Sequence, residues 1–116
     1  MTRNDLRSDL VSSVSFAAEA ETFIDHVRDG KSTTAFAQGH VEYLAEEAGR
    51  MAQQLQKLVP EPQTAGAFQT ARTQIDRLRN ELNSLRANIG DEQALAARKD
   101  RIETIRESLA EAVSSL

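Results

Sequence analysis

Four stretches of this chain carry the same hydrophobic signature at the same length, and that repetition limits the fold more than any other feature. In the first, Leu6, Leu10, Ser13, Ala17, Ala20, Ile24 and Val27 recur at alternating steps of four and three. Ala37, Val41, Leu44, Ala48, Met51, Leu55 and Leu58 do the same in the second, and Phe68, Ala71, Ile75, Leu78, Leu82, Leu85 and Ile89 in the third. The fourth seam is Leu95, Arg98, Ile102, Ile105, Leu109, Ala112 and Leu116, with Arg98 its one charged member. A four-three step keeps side chains on one face of a helix, so each stretch predicts an amphipathic helix with heptad character.

The punctuation between the stretches agrees. Asn4 or Thr2 can cap the first helix and Ser32 or Thr33 the second, because a short polar side chain accepts from a free amide of the first turn. Gly30 and Gly90 follow apolar seams where a left-handed helix exit is expected. Pro60 and Pro62 force the residues before them out of helix. Thr64 and Asp91 are the candidate caps of the third and fourth helices. The expected helices are 4–28, 33–58, 65–89 and 91–115, within a single domain spanning 1–116.

Short connections make consecutive helices antiparallel neighbours. The expected fold is therefore all-α, an antiparallel up-down-up-down four-helix bundle with coiled-coil-like heptad packing. Folding the four seams back and forth stacks them in layers. These run from Leu6/Leu58/Phe68/Leu116 at one end, through Ala17/Ala48/Leu78/Ile105, to Val27/Ala37/Ile89/Leu95 at the other. The alternative keeps the same helices as two long hairpins that pair in a dimer. Arg98 falls in a layer with Ile24, Val41 and Leu85. Its stem is expected to pack while its head reaches the surface or a carboxylate, and Arg98→Leu is then neutral or stabilising.

Composition narrows the function. A net charge of −4 supplies no basic face for nucleic acid or for an anionic membrane surface. The Arg-rich run "ARTQIDRLRNELNSLR" has Asp76 and Glu81 interleaved and reads as a solvated helix face. No apolar run approaches the ~20 residues of a membrane span, and the expected location is the cytoplasm. The chain has no cysteine, which removes thiol chemistry and Cys-based metal sites. The only histidines are His26 and His40, and no Glu-x-x-His pair is present, so no metal site and no cofactor are expected. Glu42, Glu46 and Glu47 cluster on the second helix, with Glu46 placed to pair with Arg50.

The stretch that most suggests chemistry is "HVRDGKSTT", residues 26–34. A phosphate-binding loop needs G-x-x-x-x-G-K-[ST] between a strand and a helix. Here Asp25 stands where the first glycine belongs, and an amphipathic helix precedes it. The segment His26-Val27-Arg28-Asp29-Gly30, followed by Lys31-Ser32-Thr33, also resembles the H-x-x-K-G pattern of histidine phosphotransfer domains, which are four-helix bundles of about this size. That resemblance implies a signalling domain with His26 as phosphoacceptor. It departs from the pattern at Asp29, where the family carries a cation to balance the phosphoryl charge.

Nothing else points to an enzyme. Apart from Phe68, every aromatic side chain lies between residues 16 and 43. Phe16 and Phe23 flank the first seam, while Phe36, His40 and Tyr43 share one stripe of the second helix. Either they widen the buried face, or they form a surface for a partner or a second copy, where aromatic anchors concentrate. Gly39 and Gly49 each cost about 1 kcal/mol in a helix relative to alanine, which a close helix approach would explain. The expected function is a non-enzymatic protein-interaction module, with Phe16, Phe23, Phe36, His40 and Tyr43 as the partner-binding residues and a homodimer as the default assembly. In size, acidity and long helices the chain resembles small bacterial export or secretion chaperones. A purely structural oligomerising bundle is a third reading.

Overall fold

The computed structural model describes residues 2–116. Four helices follow one another: α1 (Arg3–Arg28), α2 (Thr34–Gln56), α3 (Ala65–Leu85) and α4 (Glu92–Ser114), with a single 3-10 turn at Pro62–Thr64. There is no strand among the described residues. The molecule measures 46 × 23 × 17 Å. A helix the length of α1 is about 39 Å long at ~1.5 Å per residue, so the helices lie along the long axis. No described helix is long and apolar enough to cross a membrane.

Each helix start has a local cause. The Thr2 hydroxyl accepts from the Asp5 amide and the Asp5 carboxylate accepts from the Thr2 amide, each at 3.1 Å, closing a capping box on α1. Those same bonds hold the Asp5 carboxyl below its ordinary value. Thr33 accepts from the Phe36 amide and Asp91 from the Ala94 amide, again at 3.1 Å. Thr64 caps nothing: its hydroxyl donates to the Glu61 carbonyl at 3.3 Å, and the 3-10 turn leads directly into α3.

Two helix ends differ from the sequence expectation. α2 stops at Gln56, because Lys57 and Leu58 donate to carbonyls three residues back and tighten the chain ahead of Pro60. Leu58, expected in the end layer, is therefore exposed, as is Val59. α3 stops at Leu85 rather than running to Ile89. Ala87 and Asn88 also donate three residues back, the Asn88 side chain accepts from Arg98 Nε at 2.9 Å, and Gly90 takes the left-handed φ of 101°. A side chain committed to an outside donor at a weak helix former ends the helix early. The last connection is thus a six-residue turn, not one or two residues.

One apolar core draws on all four helices and holds both Leu78 and Ile105. Ser13 is buried in it with its hydroxyl satisfied by the Asp9 carbonyl at 2.8 Å. The closest backbone pairings are α1 with α4, α2 with α3, and α3 with α4. Along the first of these, Glu21 meets Arg106 at 2.6 Å, Asp25 meets Lys99 at 2.7 Å and Arg28 meets Glu92 at 2.8 Å. The partner carboxylates hold Arg106, Lys99 and Arg28 above their ordinary pKa values. α1 and α2 approach each other less closely, with large side chains between them.

Arg98 lies half-buried, with its guanidinium bonded to the Glu81 carboxylate and to Asn88. The carboxylate that the sequence left unnamed is therefore Glu81, itself half-buried, with Arg101 a further 3.9 Å neighbour. Removing the guanidinium would leave that carboxylate poorly compensated, which revises the neutral effect expected from sequence. Arg98→Leu is expected to cost about 1–2 kcal/mol in urea denaturation, and Arg98→Leu/Glu81→Leu to recover most of it. A neutral or stabilising single variant would show that the pair contributes nothing.

Candidate protein-binding surface

The stretch 26–34 turns out to be a helix exit joined to a helix entry. Gly30, in the left-handed region at φ 71°, donates to the Val27 carbonyl at 3.1 Å, and Lys31 donates to the His26 carbonyl at 3.0 Å. These two bonds define a Schellman motif. Thr33 then caps α2. The Gly30 and Lys31 amides, which a phosphate-binding loop would offer to its ligand, are consumed by the preceding helix.

His26 lies in the last turn of α1 and is exposed. It shares a shallow cleft between α1 and α2 with Glu19, Phe23, Phe36 and His40, and no lysine or arginine lines that cleft. The cleft that holds His26 thus offers a carboxylate and no lysine or arginine. Among the described residues no cluster of three or more His, Cys, Asp or Glu side chains could hold a metal ion.

The structure gathers four of the five predicted binding residues and separates them by depth. His40 is half-buried at the centre of an aromatic cluster. Its ring stands 4.7 Å from that of Phe23, 5.9 Å from Phe36 in a stacked arrangement, and 5.6 Å from Tyr43. The imidazole thereby links α1 to the outer face of α2. Phe23 is 6% exposed and Phe16 8%, so both widen the buried face of α1. Phe16 takes no part in the ring contacts described for His40. Phe36 and Tyr43, by contrast, are 62% and 50% exposed. Helical phase does not make the split, since each of the four rings precedes a seam residue by one position; the buried face is wider on α1, where it takes in Phe16 and Phe23, than on α2, where Phe36 and Tyr43 stay in solvent.

Gly39 completes this surface. It sits three residues after Phe36 and four before Tyr43, on the same outer side of α2. A Cβ built there would meet nothing within 4 Å. No helix of this chain packs closely on Gly39, and at Gly49 the nearest atom is the flexible Arg79 side chain at 3.9 Å. The glycine leaves a notch of bare helix backbone between two exposed rings. Glu42 and Glu46 are exposed beside it, and neither has an ion pair among the described residues. Arg50 pairs instead with Glu47 at 2.8 Å, three residues away, not with Glu46 as the i,i+4 spacing suggested.

Comparison of the chain with protein-family models, with curated proteins and with solved structures finds no match. The surface is therefore interpreted from its own chemistry.

Two outcomes follow from the depth of each ring. Phe23→Ser is expected to lower stability by about 3 kcal/mol, as loss of a buried aromatic does, while Phe36→Ser and Tyr43→Ser each change it by no more than about 0.5 kcal/mol. Gly39→Ala is expected to raise stability by about 0.5–1 kcal/mol, since the methyl group meets open space and the helix gains in propensity. Chemical denaturation monitored by circular dichroism reads all four variants. Equal losses for Phe23→Ser and Phe36→Ser would contradict the division into core and surface.

Proposed function

We propose that this chain is a non-enzymatic protein-interaction module, a small adaptor of the export-chaperone kind, which binds other proteins through the aromatic face at the α1–α2 end of the molecule. The observation that carries the reading is the pair Phe36 and Tyr43, left half or more exposed on either side of Gly39. Burying one such side chain contributes roughly 1.5–3 kcal/mol, so leaving two in water favours association. Aromatic anchors around a central depression are also the composition of interface hot spots. The half-buried His40 ties the exposed rings to Phe23 and the core, which keeps the surface pre-ordered.

On this reading the four helices run up-down-up-down, with heptad seams inward and the aromatic stripe outward. Support comes from the ion pairs between α1 and α4, whose members ascend along one helix as they descend along the other. In isolation the chain pairs with a second copy through this face, and its natural partner uses or competes for the same rings. Phosphotransfer through His26 is the weaker reading, because Glu19 and no cation lines its cleft.

The test is sedimentation of the full chain beside Phe36→Ser/Tyr43→Ser. The expected result is a dimer or a partner complex for the native chain, lost in the double variant, with helical content unchanged and stability within about 1 kcal/mol of native. Association that survives the double substitution, or acid-labile phosphate found on His26, would remove this reading.

A further inference from the structure

The face on α2 carries more information than apolarity, because its rim is charged and its centre is bare. We propose that the partner seated on it is an amphipathic helix whose apolar stripe is flanked by lysine or arginine. The inference rests on the reading of this face as a protein-binding surface and adds the chemistry of what binds.

Three observations converge. First, Gly39 puts unobstructed helix backbone between Phe36 and Tyr43, with nothing within 4 Å of where a side chain would begin. Helix axes approach closely only where the contacting side chains are small, and a notch between two ridges receives one ridge of another helix. An extended segment would need a sheet edge to pair with, and the described residues contain no strand. Second, the rim is acidic. Glu42 and Glu46 flank Tyr43, and Glu19 of α1 lies beside Phe36 and His40 in the adjoining cleft. None of the three has an ion pair among the described residues. Third, the nearest cation on α2, Arg50, is already held by Glu47 at 2.8 Å. A basic rim on the partner meets unpaired carboxylates, whereas an acidic or like-charged partner meets repulsion. A second copy supplies no basic rim of this kind from the same face, so a basic helix is expected to displace a dimer formed there.

The experiment uses the full chain and two synthetic helical peptides of about 18 residues, a length of roughly 27 Å. Both carry one leucine–alanine stripe, flanked by lysine in one and by glutamate in the other. Binding is read by fluorescence anisotropy at low and moderate salt. The lysine-flanked peptide is expected to bind at least tenfold more tightly than its acidic counterpart, with the advantage shrinking as salt screens the rim. Glu42→Gln/Glu46→Gln should cut that affinity roughly tenfold, while Glu107→Gln/Glu111→Gln, an equal charge change on α4, should leave it unaltered. Gly39→Leu should abolish binding of the lysine-flanked peptide. Because Gly39→Ala is expected to stabilise the fold, weaker peptide binding by that variant separates a recognition defect from unfolding.

Equal binding of the two peptides, or indifference to the loss of Glu42 and Glu46, would overturn the basic-helix assignment while leaving the surface itself in place. So would a homodimer through this face that the lysine-flanked peptide cannot displace, which would make a second copy the occupant. Binding of the lysine-flanked peptide that is unaffected by Gly39→Leu and by Phe36→Ser/Tyr43→Ser would overturn the assignment and the surface together.

Discussion

Burial of four apolar seams against one another is the constraint from which the rest of this molecule follows. None of the helices would be stable alone, because a polar-faced helix of about 25 residues owes most of its stability in water to the packing of its apolar stripe. Leu10, Ile24, Leu44, Leu78, Leu82, Leu85, Ile102 and Leu109 are fully buried, and they come from every helix. Side chains outside the core are free to serve other ends. The α1–α4 seam is edged by cross-helix ion pairs, while the α1–α2 side is held by rings.

The different treatment of those two seams explains where the candidate surface lies. Between α1 and α4, Glu21, Asp25 and Arg28 each find a partner of opposite charge, and that seam presents little unpaired chemistry to solvent. Between α1 and α2 the backbones stay further apart and Phe23 spans the space to His40. From there the aromatic cluster runs outward, through the imidazole, to Phe36 and Tyr43. A group that is apolar inside and exposed outside, built on two helices rather than on a loop, is rigid enough to bind without a large ordering cost.

Much of this was legible in residue spacing. The caps at Thr2, Thr33 and Asp91 and the left-handed glycines at 30 and 90 are local features, set by side chains within a few residues of the backbone groups they satisfy. The division of the aromatic residues was only half legible. Helical phase shows that Phe16, Phe23, Phe36 and Tyr43 lie off the seams, but not how wide the core is at each level. α1 proved wide enough to take in Phe16 and Phe23, and α2 did not extend to Phe36 and Tyr43. Gly39 was legible only in part: a glycine in a helix suits a close approach, and it takes the tertiary structure to show that no helix of this chain makes one there.

The sequence by itself determined the number of helices, their starts, their inward faces and the absence of a phosphate-binding loop at 26–34, since each depends on contacts within one or two turns. Only the tertiary structure decided the partners of the charged side chains and the ends of α2 and α3. Arg98 chose Glu81, seventeen residues away, and Asn88. That choice accompanies the stop of α3 at Leu85, short of its apolar pattern. The physical reason is range. Hydrophobic periodicity and capping are settled by neighbours along the chain, whereas a guanidinium or a carboxylate pairs with whichever opposite charge the folded helices bring within reach. Whether a phenylalanine beside a seam is core or surface likewise depends on the neighbouring helix, which no periodicity within its own segment can specify.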